Sequence, residues 1–403
     1  MGFRHVKREM LLAFLLLSLV SLFADVTYEG ARSVLGSYAK ILGATAFGAS
    51  LANIGEFLGY ATRLASGFAV ARLRSSLGYW LMVFVGYALN LVVVPLLAFA
   101  GYWQLAIVLI FLERIGKGLR TPARDTILAE VTEEIGRGKA FGLHEALDQA
   151  GAVLGPLIVS ASLYLSGGSY SITFLLLAFP AATSIALLYM AYRRYPRLKS
   201  IERPPRRGES ALSKAFWLYV AASSIMALGF IHWVNVSYYL KAEGLLPDPL
   251  IAVMYLTAML VDGIVALPIG LLYDRIGPSS LLIAPISSAL IVPLLLTRDF
   301  AFILISGALW GVVMGVYESI ARAFVADVTS SESRAYGYGV FGAFFGFSWM
   351  LGSMTYGYLY QSCPEYMMWF STTCNSLAFA CLMIISFKTS RRRGLLNDRA
   401  PRS

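Results

Sequence analysis

The chain has 403 residues, of which 58% are hydrophobic and only 14% are charged, with a formal net charge of +10. Soluble domains are usually about 25% charged, so this composition argues against a soluble enzyme or binding module. The apolar residues form long blocks, each approaching the ~20 residues that a helix needs to cross ~30 Å of hydrocarbon. Because only helices and closed barrels satisfy their backbone in lipid, and the blocks do not alternate, we predict a polytopic helical membrane protein.

Twelve hydrophobic spans follow one another along the sequence, and each is predicted to be a transmembrane helix. They cover residues 10–38, 43–68, 79–99, 103–120, 139–165, 170–193, 213–240, 248–272, 279–297, 300–323, 334–360 and 365–388. Most of the 33 Lys and Arg residues lie at the termini and in alternate loops. By the positive-inside rule, we predict a multi-pass protein of the cell membrane with both termini cytoplasmic. The net charge therefore reflects topology, and no nucleic-acid partner is expected.

The two halves of the sequence are related by a repeat around a basic, Pro-rich stretch near the midpoint. The predicted organisation is a six-helix bundle over 1–192, a cytoplasmic linker over 193–212, a second bundle over 213–390 and a basic tail over 391–403. Two six-helix halves related in this way are a recurrent plan of secondary transporters, whose substrate site lies near the membrane midplane. The predicted fold class is therefore an all-α membrane protein with twelve transmembrane helices in two pseudo-symmetric bundles.

The repeat is clearest in the loop that follows the second span of each half. The string "GFAVARLRSSLG" begins at Gly67, and "GLLYDRIGPSSL" begins at Gly270. The second string resembles the Gly-x-x-x-Asp-Arg-x-Gly loop motif of the major facilitator superfamily, through Gly270, Asp274 and Arg275. The first string keeps Gly67 and Arg72 but lacks the Asp. In that family the Asp locks the outward-open state, so the resemblance implies that these five residues control gating.

Two further strings extend the resemblance, which covers about residues 8–390. "RIGKG", from Arg114, resembles the family's fourth-helix Arg-x-x-Gln-Gly motif, whose Arg is implicated in proton coupling. "GAVLGP" resembles the fifth-helix motif associated with exporters, through Gly151, Gly155 and Pro156. Only part of that longer motif is present. The resemblance implies a prokaryotic twelve-helix permease similar to proton-coupled exporters of drugs or small molecules.

Asp25, Glu29 and Arg32 interrupt the first hydrophobic span. Their i, i+4, i+7 spacing places them on one helix face, within about 60° of one another. Because charged groups facing lipid are costly, this face should line a cavity or meet another helix. One interpretation is that a carboxylate takes and releases a proton, with Asp25 as the first candidate. The alternative is a structural ion-pair network that locks the first helix to its neighbours.

Further ionisable residues lie deep in the predicted spans and are expected at a proton-coupling central cavity. They are Glu56, Arg114, Asp148 and Asp262. His144 precedes Asp148 by one helical turn, so the two side chains form either a proton shuttle or a packed, hydrogen-bonded pair. Glu113 and Arg114 are adjacent, so we expect them to point about 100° apart, with Arg114 directed inward.

A second group of residues offers hydrogen-bonding or aromatic side chains to a substrate. The candidates are Tyr28, His232, Asn235, Tyr238 and Trp349. The Cys and His residues have no metal-ligand spacing, and no Gly-x-x-x-x-Gly-Lys-[Ser/Thr] phosphate-binding loop is present. We therefore predict no metal and no cofactor, and we do not expect ATP to drive the protein directly.

The leading hypothesis is a secondary transporter, not an enzyme, that works as a monomer in the lipid bilayer and exports a small molecule in exchange for protons. The first alternative is a proton-coupled uptake symporter for a small organic solute, in which Arg32 and Arg114 would bind a substrate anion. The second is a membrane sensor that transports nothing, which the lack of a soluble output domain disfavours. The sequence leaves the substrate open.

Overall fold

A computed structural model of the chain describes residues 2–73, 75–132, 137–198, 212–330 and 333–397. Over these ranges the protein is helical and contains no β-strand, which confirms the predicted fold class. The first helices are α1 (Gly2–Ser33), α2 (Leu35–Ile41), α3 (Ala46–Ser50), α4 (Ile54–Arg72), α5 (Ser76–Leu96), α6 (Trp103–Val131), α7 (Arg137–Leu165), α8 (Tyr170–Leu176) and α9 (Ala178–Arg194). The later helices are α10 (Lys214–Gly229), α11 (Trp233–Ala242), α12 (Asp248–Ile276), α13 (Ile283–Leu296), α14 (Phe300–Val316), α15 (Arg322–Val328), α16 (Arg334–Ser362) and α17 (Tyr366–Asn397).

Eight segments of the described ranges are long and apolar enough to cross a membrane. One of them, Asp248–Leu296, contains both α12 and α13 and so covers two of the predicted spans. The predicted spans outside these eight segments coincide with α4, α6 and α16. Charged side chains in α4 and α6, and frequent Gly and Tyr in α16, lower the hydropathy of these helices. Each predicted span therefore coincides with helix.

Helix α6 is longer than the sequence predicted. The predicted span ended at residue 120, but the helix continues to Val131, with Pro122 inside it. Hydropathy indicates which residues lipid tolerates, whereas a helix can continue through polar residues, and Arg, Ala, Leu and Glu in these last turns are good helix formers. Arg124 is consequently a helical residue and does not belong to a loop.

The structure divides into two compact units. Unit 1 comprises Met1–Arg206 and Trp233–Met259, and unit 2 comprises Arg207–His232 and Leu260–Ser403. The predicted bundles are continuous ranges of sequence, whereas these units group residues that lie close together in space. The predicted bundle boundaries therefore stay a prediction. Most of the predicted linker, residues 199–211, and the end of the predicted tail, residues 398–403, lie outside the described residues.

In unit 1, α1 and α7 approach each other closely at two glycines of the predicted exporter motif. A Cβ at Gly151 would lie 2.4 Å from the carbonyl oxygen of Leu22. A Cβ at Gly155 would lie 2.5 Å from the carbonyl oxygen of Val26 and 2.7 Å from the amide nitrogen of Gly30. The absence of side chains therefore permits backbone contact between the two helices, as small residues do in membrane helix pairs. This contact fixes the face of α1 that carries Asp25 and Glu29.

Helix α11 packs against the end of α1 and against α2, although some 200 residues separate them along the chain. The Trp233 indole donates to the carbonyl of Ser33 at 2.8 Å. The backbone amide of Gly36 donates to the hydroxyl of Ser237 at 3.1 Å. A Cβ at Gly36 would lie 2.0 Å from the carbonyl oxygen of Val234, so only glycine permits this approach.

Gly36→Ala is expected to loosen the packing of α11, since overpacking of this kind typically costs about 1–3 kcal/mol. The purified variant should melt at a lower temperature. A cysteine introduced at the buried Ser237 should react faster with maleimide in the Gly36→Ala background. Gly142→Ala is the matched control, because nothing lies within 4 Å of its new methyl group. Equal melting and labelling in the two glycine variants would contradict the close approach.

In unit 2, the chain leaves helical geometry between α10 and α11, and aromatic side chains satisfy the released carbonyl groups. Tyr356 donates to the carbonyl of Gly229 at 2.6 Å. Trp349 donates to that of Phe230 at 2.9 Å, and Trp310 donates to that of Ile231 at 3.0 Å. Broken transmembrane helices are tolerated where the freed backbone groups find partners inside the protein. The sequence predicted one continuous span here and so missed the break.

A second irregularity in unit 2 lies between α14 and α15. Residues Tyr317–Ala321 form a single π-helical turn, a feature that is frequent at functional sites. Just before it, Gly315 packs against α12, where a Cβ would lie 3.3 Å from a carboxylate oxygen of Asp262. The buried Asp262 therefore lies beside the start of this turn.

Candidate functional site

Arg32 lies at the centre of a buried chain of ion pairs in unit 1. Its Nη1 donates to Glu29 Oε1 at 3.1 Å, and its Nη2 donates to Glu56 Oε1. Arg114 Nη2 approaches the same Glu56 oxygen at 3.2 Å. All four side chains are at most 12% exposed. A single carboxylate oxygen on α4 therefore joins the guanidinium groups of α1 and α6.

Glu113 extends this chain of ion pairs to α5. Arg114 Nε lies 3.0 Å from Glu113 Oε2, and Asn90 Nδ2 donates to Glu113 Oε1 at 2.6 Å. The prediction that Glu113 and Arg114 point about 100° apart, with Arg114 directed inward, did not anticipate that the two side chains would meet each other. Both side chains are long and flexible enough to meet beyond the helix surface, whereas the prediction considered only the directions of their Cβ atoms. Asn90 was not predicted as a site residue, because a single amide side chain in an apolar span forms no recognisable motif.

Tyr255, on α12, donates its hydroxyl hydrogen to Glu29 Oε2. The tyrosine is fully buried, and its ring centroid lies 4.7 Å from that of Trp233. Glu29 thus accepts hydrogen bonds both from Arg32 on its own helix and from a residue 226 positions away. Tyr255 could not be recognised as a site residue from the sequence, since aromatic residues are common in hydrophobic spans.

Asp25 lies one turn from Glu29 but has different neighbours. The Tyr28 hydroxyl donates to Asp25 Oδ1, and the Lys117 ammonium lies 4.1 Å from the centroid of the Tyr28 ring. Asp148 and Lys117 both act electrostatically on Asp25. Within the described ranges, Asp25 has no Arg or Lys within ion-pair distance. Its carboxyl group is therefore held by a neutral hydroxyl, whereas Glu29 and Glu56 are held by guanidinium groups.

His144 and Asp148, on α7, form the predicted pair one helical turn apart. His144 Nε2 lies 3.7 Å from Asp148 Oδ2, and His144 Nδ1 lies 3.2 Å from the hydroxyl of Ser18 on α1. The pair thus links α7 to the same stripe of α1 that carries Asp25. No group of three or more His, Cys, Asp or Glu side chains in the described part of the chain could hold a metal ion.

The predicted substrate-cavity residues of the second half are distributed over both units. His232 and Trp349 belong to unit 2, with ring centroids 4.5 Å apart, while Asn235 and Tyr238 belong to unit 1. Tyr238 donates its hydroxyl hydrogen to the carbonyl of Ala44 at 2.9 Å. Because α11 begins at Trp233, His232 does not share its helical face. A role for these four residues in substrate binding stays a prediction.

The predicted gating residues lie near helix ends or at helix contacts. Gly67 and Arg72 are in the last turns of α4, and Arg72 is exposed. Gly270 is in α12, and Asp274 and Arg275 are exposed in the last turn of that helix. Pro156 is buried within α7, next to the Gly155 contact described above. A role in gating stays a prediction for all of them.

The buried cluster around Arg32 and Asp25 carries an excess of negative charge. It contains four carboxyl groups and three cationic groups, which give a formal charge of −1 when all are ionised. The carboxyl groups are those of Asp25, Glu29, Glu56 and Glu113, and the cationic groups are those of Arg32, Arg114 and Lys117. Net charge is costly in a low-dielectric interior. One proton would make the cluster neutral.

Glu56→Gln is expected to destabilise unit 1 strongly, because it leaves two buried guanidinium groups without their shared counter-charge. Breaking a buried ion pair by removing one partner typically costs about 3–5 kcal/mol. The loss should appear as a lower melting temperature of the detergent-purified protein. The exposed Glu365→Gln serves as the control for removing one carboxylate. A Glu56→Gln protein as stable as wild type would show that this ion pair contributes little.

Comparison with known proteins identifies the family of this chain. The family model of the Major Facilitator Superfamily matches residues 17–261 and 218–401. The chain therefore belongs to the major facilitator superfamily, and it is a transporter rather than an enzyme. This family assignment confirms the resemblance inferred from the loop and helix motifs.

The chain is 38% identical to an uncharacterized protein of Mycobacterium tuberculosis over 350 residues, which is 85% of each chain. It is 26% identical to an uncharacterized MFS-type transporter of Methanocaldococcus jannaschii, over 89% of this chain and 91% of that one. A shorter match, 31% identical over 117 residues, is to the class E tetracycline resistance protein of Escherichia coli and covers 29% of each chain.

Solved structures share the fold at low sequence identity. The nucleoside transporter NupG superposes with a TM-score of 0.69 at 15% identity, covering 93% of this chain and 98% of that one. The peptide transporter POT superposes with a TM-score of 0.72 at 13% identity, covering 94% of each chain.

Proposed function

We propose that this transporter exports a small molecule in exchange for protons, with Asp25 as the group that takes up and releases the proton. The observation that carries the proposal is the formal charge of −1 on the buried cluster. Asp25 is the member of the cluster without a guanidinium partner, so it is the member best able to change its protonation without breaking an ion pair. Binding one proton there neutralises the cluster.

The contacts of the cluster suggest how proton binding is linked to a change of conformation. Lys117 lies over the Tyr28 ring, whose hydroxyl donates to Asp25, and its charge also acts on Glu29. When Asp25 binds a proton, Glu29 is the remaining carboxylate of α1 with which the charge of Lys117 interacts. Glu29 is also the acceptor for Tyr255 on α12. A change at Asp25 therefore alters how strongly α1 holds a segment from the other half of the sequence.

Two observations favour export. Gly151, Gly155 and Pro156 resemble the exporter motif, and the two glycines lie at the contact between α7 and the charged helix α1. The partial relative in Escherichia coli is a tetracycline resistance protein, and removal of a drug from the cell is one route to resistance. For the uptake alternative, Arg32 and Arg114 would bind a substrate anion. Both guanidinium groups are already paired with carboxylates, so this arrangement does not favour that alternative.

The proposal includes a location in the cell membrane as a monomer with both termini in the cytoplasm. It rests on the asymmetry of Lys and Arg between alternate loops, which the positive-inside rule relates to orientation. The direction of transport can then be read from vesicles of known orientation. In everted vesicles with an acidic interior, an exporter of this kind should accumulate tetracycline, ethidium or benzoate. A proton-coupled uptake symporter would accumulate these compounds in everted vesicles only if the outside of the vesicles were acidic.

Asp25→Asn is expected to abolish substrate-dependent proton flux while the protein remains folded. The measurement uses proteoliposomes with an imposed pH gradient, in which lumenal pH is recorded as each of the three compounds is added. Glu365→Gln, which removes an exposed carboxylate, should behave as wild type. Proton flux that persists in Asp25→Asn, together with a lower melting temperature, would show that the cluster stabilises the fold and that Asp25 does not carry the proton. A wild-type protein that moves no protons with any compound would contradict proton coupling.

Tyr255→Phe keeps the ring that packs on Trp233 but removes the hydroxyl that donates to Glu29. We expect this variant to transport substrate with fewer protons moved per molecule, because Glu29 no longer links the cluster to α12. The ratio of substrate flux to proton flux in the same proteoliposomes measures the effect. Tyr219→Phe, which removes a buried hydroxyl of unit 2, is the matched control. An unchanged ratio in Tyr255→Phe would exclude this link.

A further inference from the structure

Helix α6 carries a stripe of three cationic residues that runs away from the buried cluster toward the end of the helix. Lys117, Arg120 and Arg124 are spaced by three and four residues, so they lie above one another on one face. This stripe could not be predicted, because the predicted span ended at residue 120 and left Arg124 outside it. Since like charges at this spacing repel one another, each member needs a counter-charge.

The two outer members of the stripe have neighbours that compensate their charge. Lys117 lies over the ring of Tyr28, whose hydroxyl donates to Asp25. Arg124 Nη2 lies 2.7 Å from Asp125 Oδ1, and Arg124 Nη1 donates to the Ser21 hydroxyl at 3.3 Å.

Arg120, the middle member, has no carboxylate within ion-pair distance in the described part of the chain. It is only 1% exposed, and within the described ranges its Nε and Nη1 have no hydrogen-bond partner. A buried guanidinium without a counter-charge is among the costliest groups that a membrane protein can contain. A purely structural role would be expected to include at least one hydrogen bond to these donors.

The surroundings of Arg120 hold its side chain in place but leave the N–H groups of its guanidinium available to an acceptor. A Cβ at Gly86 would lie 2.6 Å from Arg120 Cβ, so α5 and α6 are in backbone contact at this point. The next residue, Tyr87, presents its ring to the guanidinium at 4.0 Å. Stacking on an aromatic ring occupies the face of a guanidinium and leaves its in-plane N–H groups available. Planar, pre-organised N–H groups are suited to the two oxygens of a carboxylate.

Asp148, on α7, is a carboxylate whose charge interacts with all three members of the stripe. It nevertheless lies within 4 Å of none of them in the described part of the chain. Among the described residues its buried Oδ1 has no hydrogen-bond partner, while its Oδ2 lies 3.7 Å from His144 Nε2. The Asp148 side chain as a whole is 21% exposed. Asp148 is therefore placed to compete with an incoming anion for Arg120.

We propose that Arg120, supported by Tyr87 and Arg124, binds the carboxylate of an organic anion, and that Asp148 competes with this anion for Arg120. The substrate class of the transporter would then be small, partly apolar organic acids. This inference rests on the proposed transport function, but the site makes its own prediction about equilibrium binding, which needs no proton gradient.

The test measures binding of sodium benzoate to the full-length protein in detergent, by calorimetry and by the rise in melting temperature. Arg120→Gln should weaken benzoate binding at least tenfold. Without benzoate, this variant should melt at the wild-type temperature or above, because it removes an uncompensated charge. Asp148→Asn should tighten benzoate binding several-fold, because it removes the competing carboxylate. Arg8→Gln, at an exposed position of α1, is the control and should bind as wild type.

Three results would overturn the proposal. The first is equal benzoate affinity in wild type and Arg120→Gln. The second is a lower melting temperature of Arg120→Gln without benzoate, which would make Arg120 a structural residue. The third is an absence of benzoate binding in both wild type and Asp148→Asn. Asp25→Asn leaves Arg120 and Asp148 in place and should not weaken benzoate binding, so a failure of proton coupling is distinguishable from a failure of this site.

Discussion

The arrangement of unit 1 depends on one constraint, which is that a charge inside a membrane protein must meet an opposite charge or a hydrogen bond. Each unpaired charge at the bilayer centre costs roughly 2.5–3.5 kcal/mol on insertion scales. Glu56 meets this constraint for Arg32 and Arg114 together, and in doing so it brings α1, α4 and α6 to one point. The close contact of α1 with α7 then orients the remaining polar face of α1. The candidate site is thus part of what holds these helices together.

Most of the fold could be predicted from the sequence because hydropathy and helix formation coincide in lipid. The predicted spans differed from the helices in two places, where the apolar stretch and the helix do not have the same ends. Helix α6 extends to Val131 because helix-forming polar residues continue it beyond the apolar span. Conversely, the chain breaks between Gly229 and Trp233 within an apolar span, because Tyr and Trp side chains accommodate the freed carbonyl groups. A hydropathy pattern shows neither that polar residues continue α6 nor which side chains bond the freed carbonyl groups.

Within the candidate site, the sequence could predict only the relations between residues of the same helix. The spacing of Asp25, Glu29 and Arg32 placed them on one face, and the spacing of His144 and Asp148 placed them as a pair. What the spacing could not indicate was which carboxylate lacks a guanidinium partner, because that depends on α4 and α6. Tyr255 illustrates the limit, since its contact with Glu29 spans 226 residues of sequence and involves no recognisable motif.

That separation has a consequence for biogenesis. A membrane chain is inserted from its N-terminus, so α1 is in the bilayer long before α11 and α12 have been synthesised. During this interval the backbone of α1 and α2 that later receives Trp233 and Ser237 remains uncovered. Glu29, however, has Arg32 three residues further along its own helix. Helix α1 therefore carries its own counter-ion through the translocon, and the contact with Tyr255 is added only late in assembly.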